Sequence, residues 1–431
     1  MNDVDPANKR PPEPAKIRTG PIWDESCREA RDRSGGPTAV LVCHGMGQQV
    51  KFETISMVAG AILDEARSQG GMTKDLTVHL SRVDDQFVAR AEVAWKDAAG
   101  DAHEVHVYEA YWAPLTEGLV SYRDTLTFLF ESAWAGLRAS QPFGRKMFGR
   151  WMFGKPQELK IGSSTFVSML GVLLLLLIQV AAIAFVSARV AQWMAAFLMA
   201  GTIPNFGGIG GIVLWIAAIA EVLFARYFLV QYVGDVAAYI SPYKSSKFDE
   251  LRRRIQKVGL DIGKVIYGVD PDPSKGHPDY ARILMVGHSL GSVVAYDTLN
   301  ALINFETVGV AAKPVLARTP ALITFGSPLD KTAFIFRMQR QDWIREQMAA
   351  AMQPLIVDYK FRPDSFTWIN IWSRADVVSG ALDYYDAPDV SDTDSRHVQN
   401  REDPQAKTPL VAHVEYWKNP MLRKLLYEYS Q

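Results

Sequence analysis

Apolar positions along this chain fall into three regimes. Residues 1–36 lack the runs and periodicities a packed element needs; they are rich in Pro, Gly and charge and read as a flexible tail. From Thr38 onward, short apolar runs alternate with amphipathic stretches. Ala39-Val40-Leu41-Val42-Cys43 has the unbroken character of a strand buried on both faces, and the spacing over 54–68 predicts a helix. Strands are expected over 76–83, 87–95 and 104–111. After a long interruption the alternation resumes, with helix 248–266, strand 283–286, helix 291–302, strands 321–325 and 368–372, and a closing helix 420–429. Such alternation predicts an α/β protein whose mostly parallel sheet carries helices on both faces.

The interruption is the second regime. Residues 161–188 run for 28 positions without a charge, and residues 190–220 for another 31, broken by Gly201-Thr202-Ile203-Pro204. A bilayer span needs about 20 apolar residues, so two transmembrane helices are expected, over about 163–187 and 209–230. Glu221 and Arg226 fall in the last turns of the second, where an interface or a partner would accommodate them. Strands lie on both sides of the insert, so both halves belong on one side of the membrane and the crossings must be even in number. Arg138, Arg145, Lys146, Arg150, Lys155 and Lys160 precede the insert. Lys244, Lys247, Arg252, Arg253, Arg254 and Lys257 follow it, while the connection carries only Arg189. The positive-inside bias therefore predicts an integral inner-membrane protein with its folded domain in the cytoplasm. Phe143, Met147, Phe148, Trp151, Met152 and Phe153, interleaved with four basic residues, suit the headgroup layer or an ordinary flanking helix. Gly207, Gly208, Gly210 and Gly211 leave room for helices to approach closely, so a homo-oligomer through the spans is compatible with the pattern.

Composition narrows the partners. With 46 basic and 47 acidic residues the net charge is -1, which excludes binding nucleic acid by electrostatics. The two cysteines, Cys27 and Cys43, cannot build a disulfide framework, and no secretory h-region is visible, so a reducing compartment is expected. The histidines lack metal-ligand spacing and there is no phosphate loop, so neither metal nor cofactor is expected.

Gly287-His288-Ser289-Leu290-Gly291 fits G-x-S-x-G between a strand and a helix. That context is what a nucleophile elbow needs: the glycines let the chain turn sharply and Ser289 projects above the sheet. A serine hydroxyl needs a base, and the base a carboxylate to orient it. Downstream histidines are His397, in a polar stretch expected to be solvated loop, and His413, between an apolar run and the closing helix; His413 is the expected base. Asp376, a short turn beyond strand 368–372, is the expected acid, with Asp330 as its main rival and Asp383 and Asp386 behind. A tetrahedral oxyanion needs two aimed donors, which the backbone N–H groups of Met46 and Leu290 would supply. His44, Gly45 and Gly47 are expected to shape the loop that carries Met46, and Cys43 reads as a packed strand residue.

On these residues the chain resembles the α/β-hydrolase superfamily, of the serine esterase and lipase kind, over roughly 38–125 and 245–431. His44-Gly45-Met46-Gly47 resembles a lipase oxyanion loop, Gly287 to Gly291 matches the elbow, Phe325-Gly326-Ser327-Pro328-Leu329-Asp330 resembles the following strand end, and Asp376 and His413 match the remaining triad positions. The membrane insert departs from soluble lipases, and Asp376-Val377-Val378 stands where relatives often have Asp-Pro-Val. The resemblance implies a hydrolase core split into 37–135 and 241–431 around an insert, 136–240. Residues 331–365, with Phe334, Phe336, Met338 and Trp343, would then form a cap or a helix packed on the sheet. The function implied is cleavage of a carboxylic ester of a lipid-like substrate at the bilayer. A thioester or a soluble or protein-linked acyl substrate is the second reading, and an idle membrane scaffold the third.

Overall fold

The computed structural model describes residues 36–116, 246–332 and 366–431, with gaps at 48, 84–85, 270–278, 312, 377, 383–384, 386–397 and 409–410. Outside these blocks it describes only residues 17–18, Tyr239, Leu355 and scattered positions between 178 and 220. Most of the expected spans, the aromatic and basic stretch before them, most of the cap, His397, Asp383 and Asp386 therefore lie outside the described residues. Among the described residues no helix is long and apolar enough to cross a membrane.

The described residues form a mixed α/β protein around one ten-stranded sheet. In chain order the strands are β1 (Ile17–Arg18), β2 (Thr38–Cys43), β3 (Met72–Thr73), β4 (Thr77–Val83), β5 (Gln86–Lys96) and β6 (Ala102–Ala110), then β7 (Arg282–His288), β8 (Ala321–Phe325), β9 (Thr367–Trp372) and β10 (Gln399–Glu402). Their order across the sheet is β1-β4-β5-β6-β2-β7-β8-β9-β10, with β3 paired to β5. From β6 to β10 every pairing is parallel, while β4, β5 and β6 form an antiparallel meander. The helices are α1 (Glu53–Ser68), α2 (Ser246–Tyr267), α3 (Leu290–Thr307), α4 (Ala412–Glu415) and α5 (Pro420–Glu428).

Why the central strands read as apolar runs follows from where they lie. Val40, Val42, Leu284, Val286, Ile323 and Ile369 face a core shared with α1 and α5, while Ala39, Leu41, Ile283, Met285, Leu322 and Trp368 face one shared with α2 and α3. Both faces are covered, so alternation disappears. Helix α1 buries Ile55, Val58, Ala59, Ile62, Leu63 and Ala66, the stripe that its spacing announces. Helix α5 starts cleanly: Asn419 accepts a bond from the Met421 N–H at 2.7 Å and Pro420 takes the first position.

Two expectations are corrected. The polar stretch read as solvated loop contains β10, which pairs in parallel with β9, and the expected tail contains β1, paired with β4. Both are outermost strands of the path. An edge strand needs only free backbone donors and acceptors on its neighbour, so neither requires an apolar pattern.

Candidate active site

The elbow follows from steric necessity. Ser289 has φ 52° and ψ −129°, a conformation that costs a non-glycine residue on the order of 1–3 kcal/mol. Bonds on both sides hold it there. Its N–H donates to the Phe325 carbonyl at 3.0 Å, and its own carbonyl accepts from the Ser292 N–H at 2.9 Å and the Ser292 hydroxyl at 2.6 Å. A Cβ on Gly287 would lie 2.5 Å from the Ser292 Cα, and one on Gly291 would lie 2.2 Å from the carbonyl oxygens of Cys43 and His44. Gly45 passes so close that a Cβ there would meet the His288 ring at 2.9 Å and the Ser289 Cβ at 3.0 Å. Helix α3 and the loop after β2 are thus pressed together by glycines from two distant parts of the sequence.

Three expected residues converge above this turn. His413, on α4, places Nε2 2.7 Å from the Ser289 Oγ and Nδ1 2.9 Å from Asp376 Oδ2. All three are buried. Asp376 follows β9, and its other oxygen accepts the Val378 N–H at 2.9 Å. Burial pushes the Asp376 carboxyl up. His413, Lys331 and the Val378 N–H outweigh that and hold it below the usual carboxylate range. Asp330, the rival acid, is buried on the turn after β8, and the histidine's Nδ1 bonds Asp376 instead.

The loop after β2 behaves as a shaped support. His44 stacks on Trp112 with ring centroids 4.7 Å apart, its Nδ1 bonds the Gly45 carbonyl at 2.7 Å, and its Nε2 accepts the Trp112 N–H at 3.0 Å. Both nitrogens are used, and burial pulls its imidazole down to about 4, so it stays neutral. Gly47 turns at φ 89°, and Gln49 Nε2 donates to the Met46 carbonyl at 3.1 Å. The N–H groups of Met46 and Leu290 donate to no other described residue. Burial, with Glu109 nearby, pushes the Cys43 thiol up to about 12, which leaves it inert. His288 donates from Nε2 to the His413 carbonyl at 3.1 Å and packs on Phe325, and burial together with His413 pulls it down to about 3.

Sequence reasoning passed over the residues that brace the acid. Tyr416, on the turn that follows α4, donates to Asp376 Oδ2 at 2.9 Å and accepts from the Ser379 hydroxyl at 2.9 Å. Asn370 donates to the Gly380 carbonyl at 3.0 Å and to Asn400 at 2.9 Å, and Asn400 accepts the Leu382 N–H at 2.9 Å. One signal was visible: an asparagine inside the apolar strand Trp368-Ile369-Asn370-Ile371-Trp372 has to satisfy its amide somewhere.

Among the described residues one set of groups is close enough to share a cation: Glu92, Glu104 and His106, whose ligand atoms lie within 4.8 Å of one another. The buried Arg90 guanidinium already bonds the Glu92 carboxylate there. That positive charge already offsets the carboxylates.

No family model, no curated protein and no solved structure matches this chain.

Proposed function

We propose that the chain is a membrane-anchored serine hydrolase of α/β-hydrolase type that cleaves a carboxylic ester of a lipid-like substrate. The observation that carries this reading is the hydrogen-bonded line from Ser289 through His413 to Asp376, at 2.7 and 2.9 Å. Their order in the chain, serine, acid, histidine, is the one this architecture uses. Ser289 Oγ attacks the ester carbonyl while His413 Nε2 takes its proton. Asp376 stabilises the imidazolium. The oxyanion sits between the N–H groups of Met46 and Leu290, each donor worth roughly 2.7–4 kcal/mol of barrier. As the tetrahedral intermediate collapses, the carbon–oxygen bond breaks and His413 returns the proton to the leaving alcohol. Water, deprotonated by His413, then attacks the acyl-enzyme, and the fatty acid and Ser289 hydroxyl are released.

Two features support the bilayer. The charge-free windows over 161–188 and 190–220 are long enough for two spans. Within them, helical positions are apolar and open to the surroundings, with Leu198 77%, Met199 90% and Ile216 63% exposed. Strand β2, before the insert, pairs with β7, after it, so an insert that crosses must return to the same side.

Hydrolysis of p-nitrophenyl esters by the detergent-solubilised protein tests the substrate class. Activity should rise from acetyl through octanoyl to palmitoyl. A flat or falling series, with an active enzyme, would replace the lipid with a soluble or protein-linked acyl ester.

A further inference from the structure

Two side chains outside the triad converge on the loop that carries its acid. Lys331, half-buried on the turn after β8, sends its ammonium to the carbonyls of Val378 at 2.5 Å and Ser379 at 2.7 Å. Those residues stand two and three positions after the acid, and the Val378 N–H is itself bonded to Asp376 Oδ1. Tyr416 reaches the same loop, bonding both Asp376 Oδ2 and Ser379. It stands three residues after His413, so one short stretch of backbone carries the base and tethers the acid.

Resting on the serine-hydrolase reading, we propose that Lys331 and Tyr416 are positioning residues of the reaction. Together they fix the Asp376 carboxylate where it orients His413. The need for them is physical. A triad loses most of its advantage when the carboxylate swings away from Nδ1, and loop backbone by itself does not hold a carboxylate to a fraction of an ångström. The ammonium occupies two carbonyls that would otherwise be free to turn, and the phenol shares the oxygen that the histidine uses.

Among the described residues, the charged groups facing Lys331 are Asp330 on its own turn and Asp376 on the acid loop. Burial pulls the ammonium down to about 8, and both carboxylates resist this. The grip therefore weakens as pH rises through that value, because the neutral amine has one donor fewer and no charge.

The test is the rate of fluorophosphonate labelling and the kcat and KM for an octanoyl ester, from pH 6 to pH 10, on the wild-type full chain and three variants. Wild type should lose activity with a midpoint near pH 8. Lys331→Arg should keep the plateau within about threefold and lose that alkaline limb, because guanidinium stays charged. Lys331→Met should lower kcat by about 10–100-fold with KM within twofold and show no limb at pH 8. Tyr416→Phe should lower kcat by about tenfold with KM unchanged and keep the limb. Melting curves recorded alongside exclude general unfolding as the cause. If wild type is labelled but Lys331→Met keeps both plateau and limb, the assignment of Lys331 is overturned. If Tyr416→Phe matches wild type, that of Tyr416 is overturned. A folded wild type that is never labelled overturns the serine-hydrolase reading and this assignment with it.

Discussion

At the C-terminal ends of the parallel strands, His413 bridges a serine and a carboxylate; at the other end of the same sheet, His106 bridges a carboxylate and a tyrosine. His106 Nε2 lies 2.8 Å from Glu104 and its Nδ1 2.8 Å from the Tyr280 hydroxyl, which bonds Tyr108 at 2.7 Å. Arg90 pairs with Glu92, and His79 lies 3.0 Å from the same carboxylate. Residue types are nearly shared between the two clusters, and burial is comparable. What differs is the third partner. Around His106 the imidazole, the carboxylates and the phenols pair with one another, and a guanidinium offsets the carboxylates. Around His413 the chain is held at a strained serine, next to two backbone N–H groups that donate to no other described residue. Buried histidines and carboxylates do not by themselves make a reactive site. A strained serine at the C-terminal end of a sheet, with donors left over, is what the proposed hydrolase requires.

The largest expected effect breaks this contrast at its strong side. Ser289→Ala should lower ester turnover by about 10⁴-fold or more while leaving the melting temperature within a few degrees. Asp376→Asn should cost roughly 10³–10⁴-fold in kcat, with KM little changed, since the wrong tautomer of His413 is then held. The weak side should respond in the opposite currency. Arg90→Met removes the buried guanidinium that offsets Glu92 and should destabilise the fold by about 3–5 kcal/mol in urea titrations, with kcat per folded molecule within twofold of wild type. A large loss of kcat in that variant would mean the two ends of the sheet are coupled.

How much of this was legible in the sequence depends on what each element needed. The central strands and helices α1, α2, α3 and α5 announced themselves, because burying an apolar face imposes a period. The elbow was legible because steric demand fixes its glycines, as Gly287 and Gly291 show against Ser292 and the loop after β2. The sequence favoured Asp376 without excluding Asp330, since both follow a strand by a few residues; the folded position of His413 distinguishes them. Tyr416 and Lys331 left no signal at all. Their partners are a carboxylate and two carbonyls brought close by the fold, and nothing in local pattern encodes such a meeting. Strands β1 and β10 were missed for a related reason: pairing at an edge uses backbone alone.

The smallest effect concerns acid. The folded-state affinities of His44 and His288 for protons lie below the ordinary histidine value, at about 4 and about 3, and burial holds His106 below it too. The unfolded chain thus binds more protons between about pH 6.5 and pH 4, so stability present above pH 6.5 is lost as pH falls through that window. Thermal melts should fall steadily from pH 7 to pH 5, by roughly 1–2 kcal/mol for each of His44 and His288. His106→Gln should remove its own share of that slope and leave kcat unchanged, sharpening the contrast between the two ends.

The central claim is that Ser289 is an activated nucleophile. Labelling of the detergent-solubilised protein with a fluorophosphonate, wild type beside Ser289→Ala, tests it most directly. The account predicts rapid stoichiometric labelling of wild type, mapped by peptide mass to Ser289, and none in the variant. A folded wild type that resists the reagent, or a Ser289→Ala protein labelled as fast as wild type, would contradict it.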